Sequence, residues 1–93
     1  MKDAGLDGAV ARVRVRIAGE EYVIRGDAPP AHIEKIADVV DRKLRQLREQ
    51  HRNLPFHRLA LLAAIHLADE LEKARAQVQE LLALVEEHRA RAR

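Results

Sequence analysis

Between Val13 and Ile17 hydrophobic and polar residues alternate strictly, with Val13, Val15 and Ile17 on one side and Arg12, Arg14 and Arg16 on the other. A period of two built from β-branched residues predicts a strand. Gly19-Glu20 fits a two-residue turn of type II′, which takes glycine first. That turn sets Ile17 opposite Tyr22, Val15 opposite Ile24 and Arg14 opposite Arg25, so both apolar faces of a hairpin over 12–25 agree. A two-stranded hairpin is barely stable alone in water, so its apolar face needs a helix beneath it or strands of another subunit beside it. Residues 1–9 carry two glycines and two aspartates with no periodicity, and predict a flexible N-terminus.

Arg25-Gly26-Asp27-Ala28-Pro29-Pro30 ends the strand and opens a helix, since proline is tolerated in a first turn. Ile33, Ile36, Ala37, Val40, Leu44 and Leu47 then recur at helical spacing, opposite Glu34, Lys35, Asp38, Asp41, Arg42, Arg45 and Arg48. This predicts an amphipathic helix over 30–51.

Leu54-Pro55 marks a second helix start, and no glycine or proline follows it. A helix over 55–91 would be roughly 55 Å long. Its first part, Leu59 to Ala68, is apolar almost all round and predicts a buried core helix. From Leu71 the pattern narrows to a heptad seam, with Leu71, Val78 and Val85 at a and Ala74 and Leu81 at d. Leu82 and Leu84 flank the seam at e and g. The wider stripe predicts an assembly of more than two helices; the few e and g charges favour neither parallel nor antiparallel order. The architecture is α+β: a head over 10–70 (hairpin, first helix, start of the long helix), then a C-terminal coiled-coil segment over 71–93.

A chain of 93 residues supports one small core, and it contains no cysteine to cross-link one. Oligomerisation is the remaining route to stability. Aromatic residues are 2% of the chain, too few for base stacking or a buried ligand pocket. With 17 basic and 15 acidic residues the charge is nearly balanced, unlike a dedicated DNA-binding domain. Catalysis finds no foothold, because the chain has no Cys, Ser or Thr nucleophile and no phosphate-binding glycine loop. No cofactor is implied. No apolar run is long enough to cross a bilayer, so a soluble, cytoplasmic protein is expected.

Three stretches resemble the bacterial cell-division family ZapA: Ile17-Ala18-Gly19-Glu20-Glu21-Tyr22, the Arg25-Gly26-Asp27 exit, and Leu59-Ala60-Leu61-Leu62-Ala63-Ala64-Ile65-His66-Leu67-Ala68-Asp69-Glu70-Leu71. The resemblance implies a ZapA-like fold whose head dimerises, and a long helix joining two dimers into a homotetramer. It implies FtsZ filaments as the partner, cross-linked at the septal Z-ring, and neither enzymatic activity nor a membrane or nucleic-acid partner. Two departures stand out: His66 replaces a more usual polar residue such as Asn, and Leu54-Pro55-Phe56 lacks a Ser/Thr cap, often worth about 1 kcal/mol.

The candidate residues divide by role. Leu71, Val78, Leu81, Leu82 and Val85 are expected to carry oligomerisation. Val13, Val15, Ile17, Tyr22, Ile24, Leu59, Leu62 and Ile65 are expected to hold the head and its dimer. Arg14, Arg16, Lys43, Arg45 and Arg48 are the candidate filament contacts, because an acidic polymer would meet a basic surface; the competing reading is solvated faces neutralised by a neighbouring subunit. His66 and Glu70 have i,i+4 metal-ligand spacing, but lack further ligands, and a buried or interfacial histidine explains the position better. Arg25-Gly26-Asp27 matches an adhesive tripeptide and is better explained as a strand end followed by a turn. Two other function classes stay open: a nucleic-acid-binding dimer using the arginine strand and the basic tail of Arg89, Arg91 and Arg93, and a generic coiled-coil adaptor.

Overall fold

The computed structural model describes the backbone of residues 2–5 and the whole of residues 11–92. Three strands come first: β1 (Lys2–Gly5), β2 (Ala11–Ile17) and β3 (Glu20–Gly26). Two helices follow, α1 (Pro30–Gln50) and α2 (Phe56–Ala92). The α+β architecture is the one expected. The chain divides into two compact units, Met1–Ala63 and Ala64–Arg93, so the division falls inside α2 a few residues before the heptad seam begins.

The hairpin forms where the alternation predicts it, but its register differs. Ile17 pairs with Glu20, Val15 with Tyr22 and Val13 with Ile24. The turn residues are therefore Ala18 and Gly19, and both have positive φ, at 53° and 81°. That is a type I′ turn, whose twist matches that of the flanking strands. A left-handed alanine costs roughly 1–2 kcal/mol. The cost is offset locally, because the Ala18 N–H donates to Asp41 Oδ1 on α1 at 2.9 Å. The slip is two residues, so no side chain changes face. It does move the like-charge opposition from Arg14–Arg25 to Arg12–Arg25 and sets Arg16 opposite Glu21.

Lys2–Gly5, expected within a flexible lead-in, is strand β1 and pairs in parallel with β3. Residues 1 and 6–9 of that expected segment lie outside the described residues. The sheet order is β1-β3-β2, which leaves β2 at an edge.

The described residues of the N-terminal unit form two small cores. In the first, Val13 and Val15 of the sheet pack with Ile33 and Ala37 of α1. In the second, Leu44 and Leu47 of α1 pack with Leu59 and Ala63. Ile33, Leu47 and Leu59 are the most deeply enclosed side chains, at 0%, 1% and 2% exposure. α1 opens on proline without a side-chain cap; the His32 and Ile33 N–H groups donate to the Pro29 carbonyl. The expectation that Leu59–Ala68 is buried all round fails within one chain. Leu61 is 62% exposed, because Leu44 and Leu47 of α1 meet the side of α2 that carries Leu59 and Ala63; Ile65 is 57% exposed.

Candidate assembly and partner-binding surfaces

The five proposed filament contacts do not form one patch. Arg14 and Arg16 point from the outer face of β2, the face opposite buried Val13 and Val15. Arg16 meets Arg45 of α1 around a recess beside the hairpin turn, which Gly19 and Asp41 also line. Lys43 lines a different recess with Val39, Arg42 and Gln46.

Arg48 has a separate task. It is half-buried, and its Nη1 donates to the carbonyl oxygens of His51, Arg52 and Leu54, the last at 2.6 Å. Charge-assisted bonds to backbone carbonyls in a turn are worth more than an exposed ion pair. Arg48 is therefore committed to the α1–α2 connection.

The ion pairs around the other cations are surface features. Arg45 bonds Asp41 at 2.7 Å, Arg42 bonds Asp38 at 2.7 Å, and Arg16 approaches Glu21 at 4.0 Å. Pairs this exposed contribute about 0–1 kcal/mol, so their cations can exchange partners at little cost. Asp41, whose side chain is only 18% exposed, differs: it bonds both Arg45 and the Ala18 N–H. Sequence reasoning placed Asp41 on a solvated helix face. Its spacing carries no hint of the distant turn it holds.

An apolar recess of about 470 Å³ lies between the turn, α1 and the start of α2, lined by Ala18, Leu44, Phe56 and Leu59 among others. Phe56 is half-exposed there, and Ile36 and Val39 are uncovered on α1. Phe56 and Val39 were not singled out from the sequence, and Ile36, expected on the apolar stripe of α1, lies at its uncovered margin.

In the C-terminal unit, no side chain of residues 64–92 is buried. Leu71, Val78, Leu81, Leu82 and Val85 are 49–62% exposed, and Leu84 is equally bare. Covering each would contribute on the order of 1 kcal/mol, about half the value of burying a whole such side chain. The opposite positions carry pairs along the helix: Lys73–Asp69, Arg75–Glu72, Arg89–Glu86 and Arg91–Glu87. The Asp69 carboxylate, by hydrogen bond and charge, raises the Lys73 ammonium above its ordinary pKa. His66 is exposed on the single chain, which removes the buried reading of it but not the interfacial one. Among the described residues no three metal-ligating side chains cluster, and no helix is long and apolar enough to cross a membrane.

A hairpin, an amphipathic helix packed on it and a long C-terminal helix with a bare apolar stripe define a small α+β class with a coiled-coil-patterned tail. Residues 13–93 match the family described as Cell division protein ZapA. The chain is 32% identical to the Cell division protein ZapA of Bacillus licheniformis over 81 residues, 80% of this chain and 95% of the relative. It is 38% identical to that of Geobacillus thermodenitrificans over 77 residues, 83% of this chain and 85% of the relative. A solved ZapA mutant dimer from Geobacillus stearothermophilus superposes with a TM-score of 0.66 at 37% identity, covering 82% of this chain and 88% of that one. The chain belongs to the ZapA family of cell-division proteins.

Proposed function

We propose that the chain is a non-enzymatic accessory protein of cell division that binds FtsZ filaments and cross-links them at the division ring in the cytoplasm. Two chains pair, and two pairs join through the C-terminal helices into a homotetramer. The observation that carries this reading is the bare stripe of Leu71, Val78, Leu81, Leu82 and Val85 in a chain of the ZapA family. An apolar face that one chain leaves in water is removed from it when copies associate. The solved dimer of a relative supports self-association here.

Cross-linking follows from valency. An assembly with several filament-binding units can hold two filaments at once, and linking weak sites raises avidity without new contacts. The exposed cations Arg14, Arg16 and Arg45, with half-buried Lys43, suit an acidic polymer; Arg48 acts behind them by holding the loop. Neither a nucleic-acid-binding dimer nor a generic adaptor gains support from the family relationship.

The test is sedimentation of the purified chain with and without FtsZ polymer, with electron microscopy for bundles. Co-sedimentation that declines with salt and bundles that appear only with the chain are expected. Polymer that stays unbundled at saturating chain would refute the reading.

A further inference from the structure

The sheet ends on β2, and no described strand pairs with its outer edge. Its register against β3 is one-to-one from Ala11–Gly26 to Ile17–Glu20, so the edge is regular, without a bulge, and it contains no proline. A two-residue turn closes on a hydrogen-bonded pair, here Ile17–Glu20. By the alternation of an antiparallel ladder, Ile17, Val15, Val13 and Ala11 direct their backbone groups to β3. Arg12, Arg14 and Arg16 direct theirs to the open edge. The same three residues carry exposed cationic side chains on one face, spaced about 7 Å apart along the strand.

Unpaired main-chain donors and acceptors at alternate residues, each with a cation beside it, describe a template for one kind of strand. A second copy of β2 fits poorly, since it would bring arginine rows together, and like charges across a ladder are unfavourable. We propose that β2 accepts an extended acidic segment of a protein partner as an added strand. The main chain of Arg12, Arg14 and Arg16 supplies the ladder, and their guanidinium groups pair with Asp or Glu at alternate positions of the segment. That the filament supplies the segment rests on the function proposed above.

Charges on an edge strand also serve simply to prevent aggregation, and amide hydrogen exchange separates the two roles. The probe is a synthetic seven-residue peptide with Glu at every second position, added to the full chain, with a Lys-for-Glu peptide as control. The acidic peptide is expected to slow exchange at the Arg12, Arg14 and Arg16 amides at least tenfold and to leave Val13 and Val15 nearly unchanged. Arg14→Gln should weaken the peptide severalfold, and Arg14→Pro, which also removes an outward N–H, should abolish binding. If the proline variant is unfolded, the exchange pattern of the unaltered chain still decides. Three results would overturn the proposal: binding without protection of those amides, protection already present before peptide is added, or no binding at millimolar peptide. FtsZ co-sedimentation run alongside keeps the two readings apart. Its loss removes the filament as the source of the segment, whereas its persistence without amide protection removes the added strand alone.

Discussion

The two units spend similar side chains in opposite ways. In the N-terminal unit Ile33, Leu44, Leu47 and Leu59 are enclosed by the chain's own helix and sheet. In the C-terminal unit Leu71, Val78, Leu81, Leu82 and Val85 stay about half in water. Hydrophobic burial is the main favourable force in both folding and association. The first unit uses it within one chain, and the second leaves it for another. Stability of the N-terminal unit should therefore respond to core packing, and helicity of the C-terminal unit to protein concentration.

Changes that break the comparison follow in order of size. Leu47→Ala opens a cavity in the second core and should cost about 2–5 kcal/mol, read by denaturant unfolding. For a domain this small that is enough to unfold a large fraction of it. Leu81→Asp with Val85→Asp should shift the association constant by about 2–3 kcal/mol, a hundredfold or so, without opening either core. Analytical ultracentrifugation checks that shift. Arg48→Met removes three bonds to loop carbonyls and should destabilise the N-terminal unit by about 1–3 kcal/mol. Asp41→Ala leaves the Ala18 N–H without its acceptor and should cost about 1 kcal/mol by thermal unfolding. Lys73→Gln breaks one exposed pair on the C-terminal unit and should leave the thermal unfolding midpoint nearly unchanged.

Most of the fold was legible because it rests on periodicity. Alternation marked β2, the turn and the matching apolar face marked β3, and helical spacing marked α1 and α2 to within a residue or so of their ends. The turn was misplaced because glycine is the usual left-handed residue, whereas Ala18 holds that conformation with help from Asp41. No local pattern records a hydrogen bond between residues so far apart. β1 was missed for a similar reason: four residues with a glycine at the end show no alternation, and only pairing with β3 makes them a strand.

The surfaces were legible in part. The heptad seam of α2 marked the stripe that remains bare, since spacing alone decides which residues share a helix face. The basic residues were identifiable as a set but not as a surface. Arg48 carries the same charge as Arg45, yet tertiary placement turns one into the loop and leaves the other beside Arg16. Likewise Leu61 reads as core from composition, yet the buried cluster of Leu44, Leu47, Leu59 and Ala63 occupies the other side of the helix.

Sedimentation equilibrium of the unaltered chain over a range of concentrations, with circular dichroism on the same samples, tests the account most directly. At micromolar concentration the mass should be a multiple of the 10.5 kDa chain, and helicity should fall as dilution drives dissociation. A 10.5 kDa species at that concentration with the helicity of a fully formed α2 would contradict it.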